Sequence, residues 1–144
     1  MSCTKGEVFF DTNILCYAYD LSEPAKREVC EDLVEKAFSG SIRAVVSNQV
    51  LVELHNAFTR KLGVPATEAA VIVRSIGVSE NWSKVNYTHN TVNNALRSSR
   101  LNDAPFLDAL IAETMREYGI SEIITEDEKH FKRFSDIVVR QPFV

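Results

Sequence analysis

Four acidic residues, Asp11, Glu53, Asp108 and Asp127, have the type and spacing to hold one or two divalent ions. Asp11 follows the apolar run Val8-Phe9-Phe10 and opens the turn Asp11-Thr12-Asn13. Asp127 follows a second apolar run, Ile123-Ile124-Thr125, after one intervening residue, Glu126. Glu53 and Asp108 fall in helical segments between these runs. Ligands of open α/β sheets bind outside the carboxyl ends of the strands, where Asp11 and Asp127 would stand. Carboxylates gathered there repel one another unless a cation sits among them. An all-oxygen donor set matches a hard ion, Mg²⁺ or Mn²⁺. The corresponding chemistry is metal-assisted cleavage of a phosphodiester.

Each acid also has a plainer reading. Asp108 shares its helical arc with Ile111, Ala112 and Met115, whereas Glu113, Arg116 and Glu117 mark the polar face. An acid in a first helical turn complements the helix dipole, but a buried unpaired charge is costly and calls for a partner. Asp11 reads equally as a turn residue or as a ligand held rigidly at a strand end, with Asn13 orienting it. Glu53 lies on a stripe with Gln49, Asn56 and Arg60, which alone reads as an exposed face. Asp127 lies in Thr125-Glu126-Asp127-Glu128, a possible helix-capping run in which Glu126 competes for the metal role. Asp103 is expected to cap the helix that follows it, with Pro105 close behind.

The elements that must position these acids alternate. Strands are expected at Val8 to Phe10, Ala44 to Val46, Val85 to Tyr87, Ile123 to Thr125 and Ile137 to Val139. Helices are expected from Ala25 to about Phe38 with Ser22 as N-cap, Gln49 to Leu62 behind Ser47 or Asn48, Pro65 to Ile76, Asn90 to Arg100, and about Asp103 to Tyr118. His130 to Phe134 reads as a helical turn, with His130 as a surface or capping residue. Short apolar runs alternating with helices predict an α/β fold with a mostly parallel sheet of about five strands.

The 144 residues read as one domain spanning 1–144, and a net charge of −4 excludes a histone-like, globally basic nucleic-acid binder. Three cysteines, Cys3, Cys16 and Cys30, are too few and too odd in number for a disulfide framework, which points to a reducing, cytoplasmic setting. The N-terminus lacks the apolar core of a signal peptide, and no apolar stretch approaches the length of a membrane helix. Cations available to nucleic-acid phosphates are Arg60, Lys61, Arg97, Arg100, Lys129, Lys132 and Arg133. The run His130-Phe131-Lys132-Arg133-Phe134 mixes cations with aromatic rings that could stack on bases, although Phe131 and Phe134 fit equally as core anchors.

The ordered segments Val8-Phe9-Phe10-Asp11-Thr12-Asn13, Ser47-Asn48-Gln49-Val50-Leu51-Val52-Glu53-Leu54, Phe106-Leu107-Asp108-Ala109-Leu110-Ile111-Ala112 and Ile124-Thr125-Glu126-Asp127 resemble PIN domains. The closing Val138-Val139-Arg140-Gln141-Pro142-Phe143 extends the resemblance over nearly the whole chain. It is nearest the single-domain VapC-type toxins of toxin–antitoxin pairs. The resemblance implies a three-layer α/β/α fold and a Mg²⁺- or Mn²⁺-dependent endoribonuclease. It implies Asp11, Glu53, Asp108 and Asp127 as core acids, with Asp11, Asp108 and Asp127 on the metal and Asn13, Ser47 and Thr125 in support. It further implies an RNA substrate, an antitoxin partner and a homodimer. One departure stands out: Glu128-Lys129-His130-Phe131 is a residue longer than the commonest family spacing before the aromatic, which leaves Glu126 and Asp127 as alternatives. A non-catalytic binding module on the same fold, a DNA nuclease and a metal-dependent phosphatase remain the competing readings.

Overall fold

The computed structural model describes residues 6–143. Its centre is a five-stranded sheet in the order β3-β2-β1-β4-β5, every pairing parallel. The strands are β1 (Val8–Phe10), β2 (Ala44–Ser47), β3 (Trp82–Val85), β4 (Glu122–Ile124) and β5 (Val138–Arg140). Central parallel strands are covered on both faces and read as unbroken apolar runs. Accordingly Phe9, Phe10, Val45, Val46, Ile123 and Ile124 are essentially inaccessible to solvent.

Between β1 and β2 lie α1 (Thr12–Tyr17) and α2 (Pro24–Ser39); α3 (Asn48–Arg60) and α4 (Ala66–Val78) join β2 to β3. The chain then turns back through α5 (His89–Asn102) and α6 (Phe106–Glu117) to β4, and α7 (Glu128–Phe131) leads to β5. Parallel crossovers are right-handed. Connections stepping one way from β1 to β3 therefore cover one face, and those stepping the other way toward β4 and β5 cover the opposite one. The packing agrees: α1, α2, α3 and α4 contact one another in series, and α5 packs on α6. The result is a three-layer α/β/α arrangement. The direction of travel reverses between β1 and β4, and such a switch point opens a crevice at the strand carboxyl ends. Asp11 and Asp127 stand at that crevice, with Thr125 beneath them.

Register fixes which side chains meet there. Phe10 is opposite Ile124, and the ladder continues one step further, with the Asp11 amide donating to the Ile124 carbonyl at 3.1 Å. On the other side of β4 the Thr125 amide donates to the Arg140 carbonyl at 3.0 Å. Asp11 and Thr125 are thus neighbours one residue beyond two paired strands.

Several expectations from sequence are corrected. The third strand is Trp82–Val85 rather than Val85 to Tyr87. As an edge strand it exposes Ser83 and Lys84, so its polar centre hid it. Trp82 is its anchor, edge-on to Phe10 at 4.9 Å and to Phe38 at 5.7 Å. Ser22 does not cap α2: its hydroxyl and amide donate to Asp20 instead, and Glu23 holds the N-cap position without a side-chain bond. Asp103 does not start α6 either. It ends α5 in the left-handed region at φ 51°, and Arg133 donates to its carboxylate at 3.2 Å. Asp and Asn tolerate that conformation better than most residues. Glu113, assigned to the polar face, is largely buried and paired with Arg116. The α2 terminus follows the usual rule, with Gly40 at φ 84°. Within α4, Ala69 and Ile76 are buried in the core, and Ile72 and Val73 are half-buried against it. Cys16 and Cys30 are free thiols, while Cys3 lies outside the described residues. Among the described residues no helix is long and apolar enough to cross a membrane.

Candidate metal centre

Asp11, Glu53, Asp108 and Asp127 line one cleft of about 560 Å³, together with Thr12, Asn13, Cys16, Tyr17 and others. They arrive from four elements. Asp11 is the N-cap of α1, and its Oδ1 accepts from the Thr12 amide at 2.8 Å. Its Oδ2 accepts from the Thr125 hydroxyl at 2.7 Å and, at the longer distance of 3.4 Å, from Asn13 Nδ2. Glu53 points from α3 into the cleft, where its two oxygens accept from the Thr12 hydroxyl at 2.9 Å and from Gln49 Nε2 at 3.1 Å. Gln49 also donates to the Leu107 carbonyl at 3.2 Å, tying α3 to the start of α6 beside Asp108. Ser47 accepts from the Val50 amide at 3.2 Å and so caps the helix that carries Glu53.

Asp127 caps the short α7, accepting from the His130 amide at 3.3 Å. The His130 ring folds back over it, with Nδ1 2.9 Å from Asp127 Oδ2 and 3.7 Å from Asp108 Oδ2. Ligand atoms of Asp108, Asp127 and His130 all lie within 4.8 Å of one another. This imidazole is the member that sequence reasoning left out. The signal was the i,i+3 spacing from Asp127, but only tertiary packing brings Asp108 alongside. Gln49 and Thr12 were likewise visible as neighbours of the acids, without an indication that they hold Glu53.

Electrostatically the cleft is under tension. Burial pushes the Asp11 carboxyl up to about 6, against the opposing hydrogen bonds from Thr125 and Thr12. Asp108 is also held well above the carboxylate range, first by burial and then by Asp127, Asp11 and Glu53. Burial acts in the same direction on Asp127, but the neighbouring Asp108 and the contacts with the His130 amide and ring outweigh that and keep it low. Within the Asp108–Asp127 pair the two carboxyls are thus driven in opposite directions, Asp108 up and Asp127 down. Asp108 Oδ2 is buried with no hydrogen-bond partner. A buried, unpartnered acceptor oxygen among three further carboxylates is what a bound cation would satisfy. The donors are mainly carboxylate oxygen with one imidazole nitrogen, and they fit a divalent ion of the Mg²⁺ or Mn²⁺ kind. Cys16, half-buried in the same cleft, is pushed up to about 12 by burial, so it is a thiol rather than a nucleophile.

The cations separate into two groups. Arg60 and Lys61 line the cleft with the acids. Arg97, exposed on α5, donates to Asn94, and neither it nor the exposed Arg100 lines this cleft. Lys132 pairs with Glu128 at 3.2 Å and Arg133 with Asp103, while Lys129 is exposed. Phe131 and Phe134 are buried against each other, so their rings serve the core and are closed to bases.

Comparison with known proteins follows the same lines. A sequence search of curated proteins gives no significant match. By structure, the chain is similar to a toxin–antitoxin complex from Klebsiella pneumoniae (TM-score 0.66, 16% identity, 94% of this chain and 98% of that one). It is similar also to Mycobacterium tuberculosis VapC20, a toxin that cleaves the sarcin–ricin loop (0.66, 21%, 83% and 91%). A third is VapBC2 of Rickettsia felis bound to a fragment of its promoter DNA (0.66, 15%, 94% and 98%). These likenesses establish a VapC-like fold. The family model for the PIN domain matches residues 8–137, a span that takes in all four acids, and the chain belongs to the PIN domain family.

Proposed function

We propose that this protein is a Mg²⁺- or Mn²⁺-dependent endoribonuclease, the toxin of a toxin–antitoxin pair, acting as one domain over residues 1–144. The family and the candidate Asp108–Asp127–His130 cluster support a metal-dependent nuclease in general terms. The observation that carries the assignment to this cleft is Asp108 Oδ2, a buried acceptor without a partner beside three other acids. Asp11 and Asp108 are the direct ligands in this reading. Asp127 completes the set, and Glu53, held by Thr12 and Gln49, orients water. Thr125 and Asn13 fix the Asp11 carboxylate through hydrogen bonds, and Ser47 directs α3. When bound, the divalent ion polarises the scissile phosphate and supplies water activated near neutral pH. Arg60 and Lys61 on the cleft wall hold the phosphates on either side.

RNA as substrate is supported by the likeness to VapC20, which cleaves the sarcin–ricin loop. An unpaired loop also suits an open cleft, since its bases and backbone can be splayed out. An antitoxin partner is supported by the toxin–antitoxin complexes of Klebsiella pneumoniae and Rickettsia felis. A homodimer and a cytoplasmic location belong to the same reading.

The test is cleavage of structured RNAs in Mn²⁺, Mg²⁺ or EDTA by wild type, Asp11→Asn and Asp108→Asn. The expected outcome is metal-dependent cleavage leaving 5′-phosphate ends, reduced by either substitution by at least the roughly 10- to 100-fold that losing an outer partner of a metal ligand costs. Cleavage that persists in EDTA, or that neither substitution affects, would overturn the mechanism. Silence of the wild type across RNAs would favour a binding module.

A further inference from the structure

The three consecutive residues Thr125, Glu126 and Asp127 do three different things. Thr125 donates to Asp11 and accepts from the Asp127 amide at 2.9 Å, so its buried hydroxyl is directed at the cleft acids from beneath. Asp127 faces the cleft. Glu126, between them in the bend after β4, does not line the cleft and points toward α1 and α2 instead. Its carboxylate accepts from the Tyr17 hydroxyl of α1 at 2.6 Å and from the Lys26 ammonium of α2 at 2.5 Å. Its own amide donates to Asn13 Oδ1 at 3.2 Å, and Asn13 in turn contacts Asp11. The Lys26 ammonium lies over the rings of Tyr17 and Phe143, at 4.8 and 5.2 Å from their centres, which ties in the closing segment after β5. Glu126 is therefore committed to a contact 100 residues back along the chain and is not a rival to Asp127 for the ion.

An ion pair whose two side chains are each about one-third exposed adds little to stability. Its geometry has more consequence. It anchors the loop after β4 from outside, at the residue between two that serve the cleft, and it reaches α1 at the helix that Asp11 caps. We propose that Glu126, with Lys26 and Tyr17, is a positioning latch that sets where Thr125 and Asp127 stand relative to Asp11 and Asp108, and so sets the affinity of the metal centre. This rests on the reading of the cleft as a metal site. Partners that orient metal ligands from behind typically contribute 10- to 100-fold in affinity.

Mn²⁺ binding measured by calorimetry on the full chain tests the latch, with thermal unfolding in EDTA as the control for folding. Lys26→Met and Glu126→Gln are expected to weaken Mn²⁺ binding about 10-fold with unfolding midpoints close to wild type. Lys26→Arg, which can still pair with Glu126, is expected to retain wild-type affinity. Asp136→Asn, which breaks the exposed pair with Arg116, neither of which lines the cleft, is expected to leave affinity unchanged. Wild-type affinity in both Lys26→Met and Glu126→Gln would overturn the latch while leaving the metal site intact. Equal weakening in Lys26→Arg, or weakening only in step with lost stability, would overturn it as well. A wild type that binds no Mn²⁺ would remove the metal reading and the latch with it.

Discussion

Replacing Asp11 by Asn should make the metal-free protein more stable at neutral pH and the metal-loaded protein less so. Burial raises the Asp11 carboxyl from 3.8 to about 6, a shift of roughly two units at about 1.4 kcal/mol each. The charged form is therefore disfavoured by about 3 kcal/mol in the folded state above pH 6. Asparagine removes that charge but accepts through only one atom, where Asp11 uses one oxygen for Thr12 and the other for Thr125. The Thr125 hydroxyl can turn to accept, so the loss is about 1 kcal/mol. A net gain of about 2 kcal/mol corresponds to about 6 °C in Tm for a chain of this size. The sign follows from linkage: below pH 3.8 the carboxyl is protonated in both states and the penalty vanishes. It grows between pH 3.8 and about 6 and is complete above. In Mn²⁺ at 100 times its Kd the wild type gains about 2.7 kcal/mol, enough to reverse the order. Scanning calorimetry in EDTA at pH 4 and 7.5, then in Mn²⁺, reads all three conditions. An Asp11→Asn protein that melts below wild type in EDTA at pH 7.5, or by the same offset at pH 4, would refute a strained, cation-seeking carboxylate.

Two further outcomes follow from the cleft. Thr125→Val keeps the shape but deletes the hydroxyl that joins Asp11 to the Asp127 amide, so RNA cleavage should fall about 10- to 100-fold while the circular-dichroism spectrum stays that of wild type. Arg60→Ala and Lys61→Ala should each weaken RNA binding and lower the slope of log K against log salt by about 0.7, the value of one phosphate contact on a single strand, whereas Arg97→Ala and Arg100→Ala should leave the slope unchanged in fluorescence titrations.

How much of this was written in the sequence depends on the range of the interaction. Strands β1, β2 and β4 were legible because central parallel strands are apolar throughout, and Asp11 was legible because it ends one. Asp108 stood out as an acid among Ile111, Ala112 and Met115, all buried in α6. What escaped reading was set by packing or by ambiguous local chemistry. His130 joins the acids only because α7 lies against α6. Glu126 and Asp127 looked interchangeable until Lys26 and Tyr17 claimed one of them. Asp103 reads as an N-cap as readily as it serves as a left-handed C-terminal residue, and the edge strand β3 carries its polar residues outward where no apolar run announces it.

The central claim is that these acids hold the ion. Anomalous diffraction from crystals of the wild type soaked in Mn²⁺ tests it directly. The account predicts a peak inside the cleft, about 2.1 Å from carboxylate oxygens of Asp11 and Asp108, with Asp108 Oδ2 no longer unpartnered. A peak only elsewhere on the protein, with the cleft free of Mn²⁺ and Asp108 Oδ2 still orphaned, would contradict it.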